Sequence, residues 1–151
     1  MLSKINKSAV RAALLAQEHA EHAAAEAAFR AYFDEAVRPD DTVLDPEHAA
    51  ATVRDRPAQE LAEARAHAHA GHLAALAGMA FTASTVVEVG AVVQIGARVV
   101  VVAVPTQPFD VDGIRMIGIA PDAPLAAAMM GLAAGDTFEL GERELTITAV
   151  A

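Results

Sequence analysis

The chain has no cysteine and no tryptophan. Without cysteine there can be no disulfide and no thiolate metal centre. Aromatic residues make up only 4% of the 151 residues, so any core must be aliphatic and small. Positive charge is also scarce. Eleven Lys and Arg stand against 20 Asp and Glu, a formal net charge of −9. That balance argues against direct binding to a nucleic-acid backbone, which needs a basic stripe. It leaves room for a basic protein partner or a metal ion. No run of bulky apolar residues approaches the roughly 20 that span a membrane. No apolar segment follows the lysines of residues 1–7, as a secretory leader would require. A cytoplasmic protein with no membrane contact is expected. P-loop, nucleophile elbow and Gly-x-Gly-x-x-Gly are missing, and Ser84 has no evident base partner. The chain is therefore not expected to be an enzyme or to hold a cofactor tightly.

What is present changes character near Phe81. Before it, Ala, Glu, His and Arg dominate; after it, Val and Ile. Thr82–Thr85 reads as a linker. Two domains follow, residues 1–80 helical and 85–151 mostly strand, an α+β arrangement. The first half predicts an antiparallel α-helical hairpin of coiled-coil type. Its first helix runs from about Ser3 to Val37, capped by Ser3 or Ser8 and ended by Pro39. The second starts at Asp45-Pro46-Glu47, with Asp45 as N-cap and Pro46 at N1, and reaches about Gly78. Pro57 predicts a break or kink near Arg54–Arg56. The alternative is a shorter helix from Pro57 to Gly78. The second half predicts strands at 85–95 (broken at Gly90), 97–104, 113–119, 137–140 and 144–150, forming an antiparallel sheet. A short helix begins at Pro124. The run Val99–Val102 predicts a central strand buried on both faces.

Residues 120–136 carry the most information. They read Ala-Pro-Asp-Ala-Pro-Leu-Ala-Ala-Ala-Met-Met-Gly-Leu-Ala-Ala-Gly-Asp. Pro124 suits a first helical turn, and Asp122 or Ala123 would cap it, Asp122 being chemically the better cap. Gly131 suits C′ with positive φ, and Gly135-Asp136 is turn chemistry before a strand. The stretch resembles the C-terminal signature of the bacterial Gre transcript-cleavage factors, Ser-Pro-x-Ser-Pro-Leu-Gly-x-Ala-Leu-Leu-Gly-x-x-x-Gly-Asp. Pro121, Pro124, Leu125, Ala128, Gly131, Gly135 and Asp136 match without a gap, and Met129 and Met130 replace two leucines. The resemblance implies an FKBP-like fold for the second half. It also implies a transcription elongation factor that binds RNA polymerase at its secondary channel, meeting nucleic acid only through that complex. A monomer is expected. Docking through the sheet domain would use apolar residues around Met129 and Met130, or Phe109 in the loop from Pro105 to Gly113. The rival reading is a non-catalytic interaction module whose sheet domain docks on another protein.

Six acidic residues lie between Asp34 and Glu47: Asp34, Glu35, Asp40, Asp41, Asp45 and Glu47. In Gre factors the hairpin tip brings carboxylates to the polymerase centre, where they help hold a second Mg²⁺ for RNA cleavage. The resemblance thus makes Asp40 and Asp41 the candidate tip carboxylates, with Asp45 a third possible ligand of that shared Mg²⁺. Asp45 is equally explained as a cap and Glu47 as a first-turn carboxylate. The family's tip motif, close to Gly-Asp-Leu-Ser-Glu-Asn-Ala-Glu-Tyr, does not occur here. Leu132 and Ala133 stand where the family has basic residues. Polymerase binding without cleavage stimulation is therefore the narrower expectation. His19/His22 and His69/His72 are i,i+3 pairs, with His67 nearby. A hairpin turning near residue 42 would offset the two pairs by more than a turn, which favours a solvated Ala-His helix face over a metal site. Prolyl isomerase activity is not expected from fold alone.

Overall fold

The computed structural model describes residues 2–36 and 46–151, without the side chains of residues 3, 32–36 and 46–55. A 3₁₀ turn at Leu2–Lys4 leads into α1, Lys7–Ala36, and α2 spans Pro46–Gly78. Six strands follow: β1 Val92–Ile95, β2 Arg98–Val102, β3 Phe109–Val111, β4 Ile114–Ile119, β5 Thr137–Leu140 and β6 Arg143–Val150. A short helix, α3, spans Pro124–Met129 between β4 and β5. The expected α+β plan of two long helices, then a sheet with one helix, is the observed one. The chain forms two compact units, Met1–Gln17 with Ala74–Ala151, and Glu18–Leu73.

Local chemistry sets the helix limits. The cap of α1 is Asn6, whose Oδ1 accepts hydrogen bonds from the N–H groups of Ser8 (3.0 Å) and Ala9 (3.2 Å). Because α1 begins at Lys7, the N-cap position falls on Asn6 and not on Ser3 or Ser8. One short amide side chain satisfies two of the orphan donors that open a helix. Helix α2 runs unbroken through Pro57. A proline inside a helix forfeits one hydrogen bond; here the turns on both sides remain helical. Of the two starts left open, Pro46 is the observed one.

The sheet order is β3-β4-β2-β1-β6-β5. Four of its pairings are antiparallel, but β2 and β4 run parallel, Val100 opposite Ile117 and Val102 opposite Ile119. This departs from a wholly antiparallel sheet, and β3 is the reason. The chain leaves β2 and adds the three-residue strand β3. It then reverses through Asp112-Gly113, both at positive φ (52° and 78°), into β4. The extra strand turns β4 to the direction of β2. Two central residues at positive φ suit a tight hairpin whose twist matches its strands.

Strand β2 lies inside the sheet and feeds a core on each face. Val99 and Val101 pack with Leu2, Val10, Leu14 and Leu76. Val100 and Val102 pack with Ala126, Met129, Phe138 and Ile147 on the other face. Alternation of period two explains why four consecutive valines are all buried. The second compact unit is built differently. Among its described residues, Ala25 and Ala62 are the buried aliphatic ones. One surface groove is lined by Ala24, Ala25 and Ala28 from α1 and by Ala58, Leu61 and Ala62 from α2. Residue numbers rise along α1 as their neighbours on α2 fall, which is the antiparallel hairpin.

Candidate functional site

The stretch from Pro121 to Asp136 folds as its residue chemistry requires. Pro124 opens α3, with Ala123 at the N-cap in extended conformation and no side-chain cap bond. Asp122 therefore does not cap the helix. Proline at N1 removes one orphan donor by itself, which lessens the need for a cap. Gly131 follows the C-cap at φ 82°, the left-handed conformation that ends helices. Its N–H donates to Val87 O (2.8 Å), and the Val87 N–H donates to Leu132 O (2.8 Å). The end of α3 is thereby tied to the segment that precedes β1. Gly135, at φ 93°, turns the chain. The Asp136 carboxylate accepts the Ala133 N–H at 2.8 Å, and the backbone of Asp136 accepts the Ile147 N–H at 2.9 Å. Through these bonds Asp136 helps set β5 beside β6.

The candidate docking residues separate by burial. Met129 is fully buried (0% exposed) among Ala126, Phe138 and Ile147, whereas Met130 is 39% exposed. The exposed apolar surface at this turn is carried by Met130, and by Val86, which pairs with Ala133 and is also exposed. Phe109 is half-buried on β3 and packs against the core that holds Val111 and Met116. An apolar groove on the sheet, about 370 Å³, lies between Ile95, Val100, Leu125, Leu140 and Leu145, with Arg98 and Arg143 also lining it. Asp40, Asp41 and Asp45 lie outside the described residues. Asp34 and Glu35 belong to α1 and Glu47 to α2, and their side chains are not described.

The most unusual polar residue among those described does not stand out in the sequence. Glu18, on α1, is 1% exposed and is the buried charged residue among those described. Its Oε2 lies 2.8 Å from His69 Nδ1 and 3.3 Å from His72 Nδ1. Burying a carboxylate is costly unless it is paired and hydrogen-bonded, and the two imidazoles of α2 supply the partners. His69 and His72 do share an i,i+3 face, but it is half-buried against Glu18 rather than the solvated face expected. It converges on a carboxylate rather than on His19 and His22; His22 instead lies 3.6 Å from Glu26. A signal was available. Val10, Leu14 and Glu18 follow one another at intervals of four, so Glu18 continues the buried stripe of α1.

Lys7 is the other constrained charge. Its ammonium donates to the carbonyls of Gly90 and Ala151, the latter at 2.7 Å. Burial lowers its pKa from 10.5 to about 8, partly countered by the nearby charge of Glu88. Among the described residues no helix is long and apolar enough to cross a membrane.

No protein-family model and no curated protein matches the chain. Solved structures resemble it along nearly its full length. The GreA factor homolog 1 (Gfh1) protein of Thermus thermophilus is 17% identical, over 98% of this chain and 96% of that one, with a TM-score of 0.36. A second structure of the transcription factor Gfh1 is 19% identical over 94% and 93%, with a TM-score of 0.33. Thermus aquaticus Gfh1 is 16% identical over 97% and 96%, with a TM-score of 0.33. At these TM-scores the superposition is too loose to carry a function across.

Proposed function

We propose that this chain is a Gre-type transcription elongation factor. It acts on RNA polymerase by presenting its helical hairpin to the secondary channel and docking through its sheet unit. The observation that supports this most is the folding of the signature residues. Pro124 opens a helix, Gly131 and Gly135 take positive φ, and Asp136 accepts a backbone N–H. These four matched residues meet the conformational demands that would select them. The two-helix hairpin and the acidic balance of the chain are consistent with a protein partner rather than naked nucleic acid.

The narrower reading is a modulator that occupies the channel without stimulating RNA cleavage, because the family's tip motif is missing from the sequence. Asp40, Asp41 and Asp45 are the carboxylates that would reach a polymerase-held Mg²⁺ if cleavage were stimulated. The protein itself would be no enzyme, and its place would be the cytoplasm. The test is an assay on backtracked elongation complexes. Slower elongation or changed pausing without RNA shortening supports the modulator. RNA shortening that is lost in the Asp40→Asn, Asp41→Asn double variant, with binding retained, replaces it with a cleavage factor. No effect on any polymerase step contradicts the proposal.

A further inference from the structure

Glu18, His69 and His72 place one carboxylate oxygen and two imidazole nitrogens within 4.8 Å of one another. We propose that this cluster is a binding site for a zinc-class divalent transition metal, which cross-links α1 to α2 inside the hairpin unit.

The donor set is the first argument. Two imidazoles and one carboxylate form a recognised zinc ligand set, and three protein ligands leave a coordination position for water. Imidazole nitrogen suits Zn²⁺, Co²⁺, Ni²⁺ or Cu²⁺ and does not suit Mg²⁺ or Ca²⁺. Spacing is the second. With bonds of about 2.0–2.1 Å, neighbouring ligand atoms in a tetrahedral zinc site lie roughly 3.4 Å apart. The two oxygen–nitrogen separations here are 2.8 and 3.3 Å, so small rotamer adjustments admit an ion. The third is that both rings turn the same atom, Nδ1, to the same carboxylate oxygen. A single ion would take the place of two hydrogen bonds to one acceptor, and each ring would then carry its proton on Nε2. Access is the fourth. The carboxylate is 1% exposed, but the histidine side chains are 22% and 28% exposed. An ion and its water can therefore enter from the α2 side, while the anchoring oxygen stays protected from solvent. His69 and His72 meet edge to face, with rings at 85° and centroids 5.6 Å apart.

The ligands are 51 and 54 positions apart in sequence. An ion would pin the register of the two helices at that level, and it would stabilise the folded hairpin by binding it and not the unfolded chain.

The test is titration of the chelator-treated full-length protein with Zn²⁺, and separately with Co²⁺, followed by calorimetry and thermal unfolding. One equivalent should bind and raise the unfolding temperature, while an excess of Mg²⁺ should do neither. Glu18→Gln keeps the side-chain shape and an acceptor, and His72→Gln leaves the Glu18–His69 pair in place. Each should weaken zinc binding by at least tenfold and abolish the temperature shift. His19→Gln and His67→Gln should leave both unchanged. The proposal is overturned if wild-type protein binds no zinc, or if Glu18→Gln and His72→Gln bind it as wild type does. Should Glu18→Gln unfold, the His72→Gln and His19→Gln pair decides alone: equal affinities refute the site.

Discussion

Replacing Gly118 by alanine tests the packing of the sheet unit at a close backbone approach. A Cβ built at Gly118 would stand under 3.0 Å from the Val104 carbonyl oxygen, and 2.9 Å from both Cγ2 and Oγ1 of Thr106. The Thr106 side chain cannot simply swing away. Its Oγ1 accepts the Gly118 N–H at 2.9 Å, and the Thr106 N–H donates to Gly118 O at 3.1 Å. Relief requires β4 to retreat from the segment after β2, which breaks or stretches both bonds. Two hydrogen bonds at about 0.5–1.5 kcal/mol each, with overpacking of about 1–3 kcal/mol, give a loss of roughly 2–6 kcal/mol. Gly141 is the control. It has φ 64° with nothing within 4 Å of the added Cβ, so alanine there meets only the left-handed backbone penalty, about 1–2 kcal/mol. Scanning calorimetry of both variants reads the difference. At roughly 2–4 °C per kcal/mol for a chain of this size, Gly118→Ala should unfold well below Gly141→Ala. A Gly118→Ala protein as stable as wild type, or more stable than Gly141→Ala, would refute the reasoning.

Other changes have equally definite outcomes. Leu14→Ala empties a fully buried position in the core on one face of the sheet and should cost about 2–5 kcal/mol in chemical denaturation. Asp136→Ala removes the acceptor of the Ala133 N–H and should cost about 1 kcal/mol, read in the same way. Lys7 binds fewer protons in the folded chain than in the unfolded chain between about pH 8 and its ordinary 10.5. Its contribution should therefore make stability rise with pH across that window, with the full burial penalty present below pH 8. The rise should disappear in Lys7→Met, measured by denaturation at several pH values.

Much of the fold was legible because its signals are local. Pro46 and Pro124 mark helix starts by their fixed φ, Gly131 marks a helix end, and the four valines of β2 announce burial on both faces. What was hidden has physical reasons. Strand β3 is three residues long and sits between Pro108 and the Asp112-Gly113 turn, too short to show alternation; the Asp-Gly pair was the available cue. The parallel pairing of β2 with β4 follows from that missed strand, since periodicity encodes burial and not direction. Pro57 reads as a helix breaker locally, yet the surrounding helix persists through it. Glu18 reads as a solvent-facing acid unless its place on the Val10–Leu14 stripe is weighed against its charge. Its partners are more than 50 residues away, beyond any local pattern. The tip residues Asp40, Asp41 and Asp45 rest on the family resemblance alone.

The central claim is that the chain engages RNA polymerase through the secondary channel. The most direct measurement is binding of the full-length protein to core RNA polymerase in competition with a cleavage-competent Gre factor. The account predicts a complex of one chain per polymerase. It also predicts mutual exclusion, with excess chain suppressing the RNA cleavage that the Gre factor stimulates. No complex, or a complex that leaves the Gre factor bound and fully active, would contradict it.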